Sequence, residues 1–229
     1  MNKLPPITKN LLIINVLCWM GTMAMAKYGI DLHKLLGLHF FLAPSFKIWQ
    51  LITYMFLHEG FQHLFFNMFA VWMFGRIMEM QWGSKRFLWF YLICGIGAGL
   101  TQELFQFAEY EITLASLGDD VTPQLIQRLR LYMNAFLTVG ASGAVYGILL
   151  GYGMTFPDNQ LFIIPIPFPI KAKWLVVGYI VLELALGLRN STSDNVAHFA
   201  HLGGMLAGFL LILYWKHKER KNNHINFTW

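Results

Sequence analysis

Apolar residues gather in six long runs along the chain: Asn10–Ala26, His63–Met80, Phe87–Gln106, Ala135–Thr155, Trp174–Leu188 and Val196–Trp215. A bilayer core of about 30 Å needs roughly 20 apolar residues as a helix, and fewer where flanking side chains snorkel. The pattern therefore predicts six membrane-spanning helices. Glu79 ends the second run, and Glu103 and Glu183 lie within the third and fifth. Carboxylates are costly in lipid, so these three are expected to face other helices or the interface. The first run has a rival reading as a secretory signal, because Lys3 and Lys9 precede it and Ala24-Met25-Ala26 closes it. Its length, with Asn15 and Trp19 inside it, favours a retained helix.

Two connections are longer than turns. Residues 31–62 are rich in leucine and aromatics around Pro44, which suits a segment dipping into the membrane interface. Within 107–134, Thr122-Pro123 reads as an N-cap followed by proline at the first helical position. Leu125, Ile126 and Leu129 then recur at helical spacing, predicting a short amphipathic surface helix. Pro165-Ile166-Pro167-Phe168-Pro169 cannot be helical and marks the loop before the fifth span. No period of 20 to 50 residues repeats, which excludes a solenoid.

Composition agrees with the pattern. Of 229 residues, 56% are hydrophobic and 13% charged, and mean hydropathy is +0.49. Soluble domains carry about 25% charged residues, so this chain has too little polar surface for a soluble globule of its size. A soluble enzyme, a disordered protein and a nucleic-acid module are thereby excluded as first readings. The pI of about 9.2 reflects short basic clusters between apolar runs rather than a nucleic-acid face. Cys18 and Cys94 both lie inside apolar runs, so no disulfide framework is expected. The N-terminus, the 76–86 turn, the 156–173 loop and the tail hold eleven of the 17 lysines and arginines. By the positive-inside rule both termini are expected in the cytoplasm, with 216–229 as a basic cytoplasmic tail on a single membrane domain.

Polar groups in the runs carry the chemistry. The fourth span reads Val139-Gly140-Ala141-Ser142-Gly143-Ala144-Val145-Tyr146-Gly147, and Gly143, Gly147 and Gly151 recur every four residues. Alone, that is a small-residue packing stripe. The sixth span supplies a matching face in Gly204 and Gly208, with His201 one turn before Gly204. Packed together, the two faces would bring Ser142 within reach of His201, whose imidazole can take the serine proton and make the hydroxyl a nucleophile. Tyr146 shares the face of Ser142 and is placed to stack on that imidazole. Because spans two, four and six carry no acid at mid-length, a dyad rather than a triad is expected. On the second span, His63 and Asn67 are four apart on one face and are candidate oxyanion donors. Their bland alternative is an interhelical hydrogen-bond pair.

Metal chemistry is the main competitor. His58-Glu59-Gly60-Phe61-Gln62-His63 looks like a zinc motif, but its histidines are five apart and diverge around a helix. His198 and His201 lack a carboxylate or cysteine near in sequence. No metal is therefore expected, and His198 is read as a polar neighbour near the outer end of span six.

In order along the chain, His-x-x-x-Asn (His63, Asn67), Gly-x-Ser-Gly (Gly140, Ser142, Gly143) and Ala-His-x-x-Gly-x-x-x-Gly (Ala200, His201, Gly204, Gly208) resemble the rhomboid family of intramembrane serine proteases. Gly75-Arg76-Ile77-Met78-Glu79, followed by Gly83-Ser84-Lys85, is similar to that family's end of helix two. The likeness runs from Trp49 to Gly208. It implies an all-α polytopic membrane protein, a six-helix rhomboid-like bundle. It also implies Ser142 as nucleophile, His201 as general base and Tyr146 packed on the base, with His63, Asn67 and the Ser142 N–H as the oxyanion hole. The implied activity is hydrolysis of peptide bonds in or near transmembrane segments of other proteins. No cofactor, metal, nucleic acid or obligatory oligomer is expected, and the partners are the lipid bilayer and transmembrane substrates. The expected location is the plasma membrane of a bacterial cell. Where the family's outer loop commonly has Trp-Arg, this chain has Trp49-Gln50, which leaves the loop without an arginine anchor. The competing readings are a catalytically silent client-binding relative and, more remotely, a transporter.

Overall fold

The computed structural model describes residues 3–162, 167–189 and 198–225. Helix α1 spans Pro6–Ala26, with Pro6 at a position where its missing N–H has no partner to lose. Short helices α2 (Leu32–Leu36) and α3 (Gln50–Thr53) lie in the connection between the first and second runs. The second run forms α4 (Phe61–Ala70), a π-helical turn over Val71–Gly75, and α5 (Arg76–Trp82). Then come α6 (Ser84–Leu117), the surface helix α7 (Pro123–Met133), α8 (Ser142–Thr155), α9 (Ala172–Arg189) and α10 (His198–Ile225). Thr122 caps α7 as its sequence predicts, its hydroxyl accepting from Leu125 N–H at 3.2 Å.

Three helices, α1, α6 and α10, are long and apolar enough by themselves to cross a membrane. Exposed Ile13, Leu17 and Met20 on α1, Val181, Leu184 and Leu188 on α9, and Leu206, Leu210 and Leu213 on α10 present an apolar outer surface. Such a surface belongs in lipid rather than water, and the chain is an integral membrane protein. Helix α6 is 34 residues long, about 51 Å at 1.5 Å per residue, so it projects well beyond the bilayer core. Helix α8 has only 14 residues, ten of them buried. Enclosed by protein, it has no need to match the membrane thickness.

The fourth span starts later than its apolar run. Leu137 and Thr138 pair antiparallel with His39 and Leu38, forming strands β1 (Leu38–His39) and β2 (Leu137–Thr138). Gly140 then turns the chain at φ +124°, a conformation open to glycine. Apolar content set the expected boundary at 135, but backbone pairing with the outer loop wins there. Between α8 and α9, strands β3 (Gln160–Leu161) and β4 (Ile170–Lys171) pair. Pro165 and Ile166 of the expected proline-rich break lie outside the described residues, and Pro167–Pro169 is not helical.

All three intramembrane carboxylates face protein. Glu79 accepts from Ile7 N–H (2.9 Å), Thr8 N–H (2.7 Å) and the hydroxyls of Thr8 (2.8 Å) and Ser84 (2.6 Å). It thereby caps α1 from α5. Glu103 accepts from Phe41 N–H at 2.7 Å and ties the outer loop to α6. Gln50 holds the same connection from within. Buried, its amide accepts from His39 N–H (3.4 Å) and Lys47 N–H (3.1 Å) and donates to the carbonyls of Leu35 (3.3 Å) and Ser45 (3.1 Å). Its amide adds an uncharged anchor to the one that Glu103 provides.

Candidate active site

The small-residue faces meet as their spacing predicts. A Cβ added to Gly143 would stand 2.3 Å from Ala98 Cβ, and one on Gly147 would stand 2.5 Å from Cys94 Sγ. On α10, a Cβ on Gly204 would stand 2.0 Å from the Gly143 carbonyl oxygen. Helices α8 and α10 therefore touch backbone to backbone. Helix α6 closes the third side with Phe90, Cys94 and Ala98, whose part in the junction the pairing of two glycine stripes does not reveal. Cys18 and Cys94 are free thiols.

This contact sets the chemistry. Ser142 is the first residue of α8, and His201 lies one turn into α10. Ser142 Oγ and His201 Nε2 are 2.8 Å apart. The Tyr146 ring stacks on the imidazole at 4.2 Å between centroids and 10° between planes. His201 is 7% exposed, so its ring is held by protein rather than by water. A hydroxyl at this distance from a neutral imidazole nitrogen can pass it a proton.

Of the predicted oxyanion donors, His63 lies beside the chain that leads into Ser142. A Cβ on Gly140 would come within 2.7 Å of the His63 ring, so the glycine's lack of a side chain lets His63 lie against the chain two residues before Ser142. Gly140 N–H is held by the Tyr54 carbonyl at 2.9 Å. Asn67 donates one amide hydrogen back to the His63 carbonyl at 3.0 Å, and the π-helical turn begins four residues later. Turns of that kind often accompany functional sites.

The fold brings the histidines into contacts that their spacing does not suggest. The divergence of His58 and His63 assumed one helix, but His58 precedes α4. The two rings meet edge to face with centroids 5.0 Å apart. A cavity of about 470 Å³ lined by Trp19, Thr22, His33, His58 and Glu59 opens on the His58 side of this pair. His198 and His201 have no carboxylate near in sequence, but the fold supplies a partner from another helix. Glu183 of α9 is that partner, and ligand atoms of Glu183, His198 and His201 lie within 4.8 Å of one another.

Glu183 is the residue that sequence reasoning missed. The search for an acid stopped at spans two, four and six, whereas this one arrives from span five. Its Oε2 lies 2.6 Å from His198 Nδ1 and 3.0 Å from His201 Nδ1, the latter an oblique ion-pair contact rather than an aligned hydrogen bond. Its Oε1 accepts from the Tyr146 hydroxyl. The signal was present in the spacing. Val176, Glu183 and Gly187 fall on one buried face of α9, while Val181, Leu182 and Leu184 are exposed.

Known proteins resemble this chain along most of its length. Residues 45–218 match the Rhomboid domain. The chain is 31% identical over 181 residues to the rhomboid protease AarA of Providencia stuartii, covering 76% of this chain and 59% of that protein. It is 32% identical over 163 residues to the mitochondrial RHOMBOID-like protein 6 of Arabidopsis thaliana, covering 71% and 42%. Against the rhomboid protease GluP of Bacillus subtilis the identity is 30% over 163 residues, covering 70% and 25%. The chain thus spans between a quarter and three fifths of the length of these curated relatives. The match to the domain covers most of the chain and both helices that carry Ser142 and His201: the chain belongs to the rhomboid family.

Proposed function

We propose that this protein is an intramembrane serine endopeptidase that cuts transmembrane segments of other membrane proteins. The observation that carries the reading is the 2.8 Å contact between Ser142 Oγ and His201 Nε2, made across two helices from residues far apart in sequence. His201 Nε2 takes the hydroxyl proton as Oγ attacks the scissile carbonyl. The same nitrogen then returns the proton to the leaving amine. Negative charge on the carbonyl oxygen develops at the amino end of α8, where first-turn N–H groups lack intrahelical acceptors and the helix dipole favours an anion. The Ser142 N–H, the His63 ring and the second amide hydrogen of Asn67 are the donors assigned to it. Water then hydrolyses the acyl-enzyme with His201 again as base.

The substrate is an unwound stretch of transmembrane helix, since an intact helix keeps its carbonyls in intrahelical bonds. Small and helix-breaking residues are expected at the cut. Basic residues concentrated on one side place both termini in the cytoplasm of the cell whose plasma membrane holds the protein, so Ser142 and His201 lie toward the outer face. A silent client-binding relative would have no use for a serine held on an imidazole. The test is cleavage of a model transmembrane substrate by purified protein in detergent. Wild type should cut it, and Ser142→Ala should not. Equal cleavage by both would refute the reading.

A further inference from the structure

The proposed nucleophile and base leave Glu183 unexplained. A carboxylate on a membrane helix, 3% exposed, is an expensive group to keep. Packing does not require it, because replacing a buried ionic cluster by apolar side chains of similar volume is often neutral or stabilising. Yet three polar side chains from two other helices converge on it. Oε2 meets Nδ1 of both His198 and His201, at 2.6 and 3.0 Å, and Oε1 takes the Tyr146 hydroxyl.

We propose that Glu183 is the positioning residue for the general base, standing behind the Ser142–His201 dyad. The inference rests on the protease reading above. Its chemistry is simple. With hydrogen on Nδ1 and facing a carboxylate, the His201 lone pair is on Nε2, the atom aimed at Ser142. When Nε2 takes the serine proton, the imidazolium forms beside a carboxylate that stays ionised throughout. No proton passes to Glu183. Tyr146 and His198 fix the carboxylate: the tyrosine stacks on the ring it serves while donating to the acid behind it. The oblique 3.0 Å approach of His201 Nδ1 is the contact expected to align when the ring becomes charged, since catalytic hydrogen bonds often tighten only as reaction proceeds.

Glu183, His198 and His201 would also suit a zinc ion in ligand type. Two observations favour the positioning role. Both Nδ1 atoms converge on one oxygen at hydrogen-bond range, and the second oxygen is engaged by a tyrosine hydroxyl.

The experiment compares wild type, Glu183→Gln and Glu183→Asp for cleavage of a transmembrane substrate, melting temperature and labelling of Ser142 by a fluorophosphonate. Glu183→Gln keeps the shape and the Tyr146 contact but offers an amide where His201 needs a carboxylate. Its kcat should fall by at least about 10²-fold, toward the loss of about 10⁴ seen when the orienting acid of a serine protease is neutralised, with KM changed less than about threefold. Glu183→Asp keeps the charge and should recover at least about tenfold of that loss. Should Glu183→Gln fail to fold, Glu183→Asp decides alone: folded and within about 30-fold of wild type supports the proposal, and folded but as inactive as Ser142→Ala overturns it. A folded Glu183→Gln with normal kcat, or one that loses melting temperature while keeping turnover, overturns it too and makes Glu183 a packing group. Activity lost to a chelator and restored by zinc overturns it in favour of a metal site. Wild type that neither cuts nor labels at Ser142 overturns the underlying protease reading, whereas wild type that does both, with an unaffected Glu183→Gln, overturns this inference alone.

Discussion

The carbonyl oxygen of Gly143 occupies the place where a side chain on Gly204 would begin, 2.0 Å from where its Cβ would lie. One residue before the first lies Ser142, and one turn before the second lies His201. The distance between hydroxyl and imidazole is therefore set by a backbone contact, which rotamer changes cannot relax. Gly204→Val should push α10 off α8, destabilise the protein by about 1–3 kcal/mol or more and remove cleavage. Gly178 on α9 has nothing within 4 Å of an added Cβ. Gly178→Ala should shift stability by less than about 1 kcal/mol and leave kcat unchanged. Melting temperature and kcat on both variants check the pair.

Gln50 replaces the arginine common at its position, and its four hydrogen bonds make a testable anchor. Gln50→Leu would leave the buried His39 N–H, the Lys47 N–H and two carbonyls without their partner, for a loss of about 1–3 kcal/mol. The outer loop should become sensitive to added protease between Leu35 and Lys47. Fluorophosphonate labelling of Ser142 should persist wherever the protein remains folded. Resistance to protease equal to wild type would show that Glu103 and the β1–β2 pairing hold the loop without Gln50.

Asn67 separates chemistry from packing. Removing one oxyanion donor lowers rate by about 10²–10³, chiefly in kcat. Asn67→Ala should do the same with little change in melting temperature, because its one recorded bond is to a carbonyl of its own helix. A purely structural amide would instead show about 0.6–2 kcal/mol of lost stability and near-normal turnover. Measuring both on one preparation decides between them.

His198 changes standing with the structure. As a polar neighbour it would be nearly silent on substitution; as the 2.6 Å partner of Glu183 it helps hold the acid behind the base. His198→Ala should reduce kcat about 10-fold, well short of the loss in His201→Ala but clearly measurable. Turnover indistinguishable from wild type would mean that Tyr146 fixes Glu183 unaided.

Much of this site is legible in the chain because membrane packing speaks through spacing. Glycines four apart on two spans predict a close crossing, and a crossing places Ser142, Tyr146 and His201 from their offsets to those glycines alone. The boundary of α8 was not legible. Ala135–Ala141 is apolar enough for a helix, and only the pairing of Leu137 and Thr138 with the distant Leu38 and His39 excludes it. Glu183 was hidden differently. Its partners Tyr146, His198 and His201 lie on two other helices, and which helix faces which is a tertiary fact that a run of apolar residues does not carry. The face shared with Val176 and Gly187 was the available clue.

The central claim is that Ser142 attacks with His201 as its base, and covalent chemistry at the serine tests it most directly. Purified protein in detergent is treated with a fluorophosphonate and the modified residue is identified by peptide mass, for wild type, Ser142→Ala and His201→Ala. The account predicts one adduct, on Ser142, in wild type. It predicts none in Ser142→Ala and labelling slowed at least about 10³-fold in His201→Ala, the scale of activation that a positioned base gives its nucleophile. Labelling that survives in Ser142→Ala, or that proceeds at the wild-type rate without His201, would contradict it.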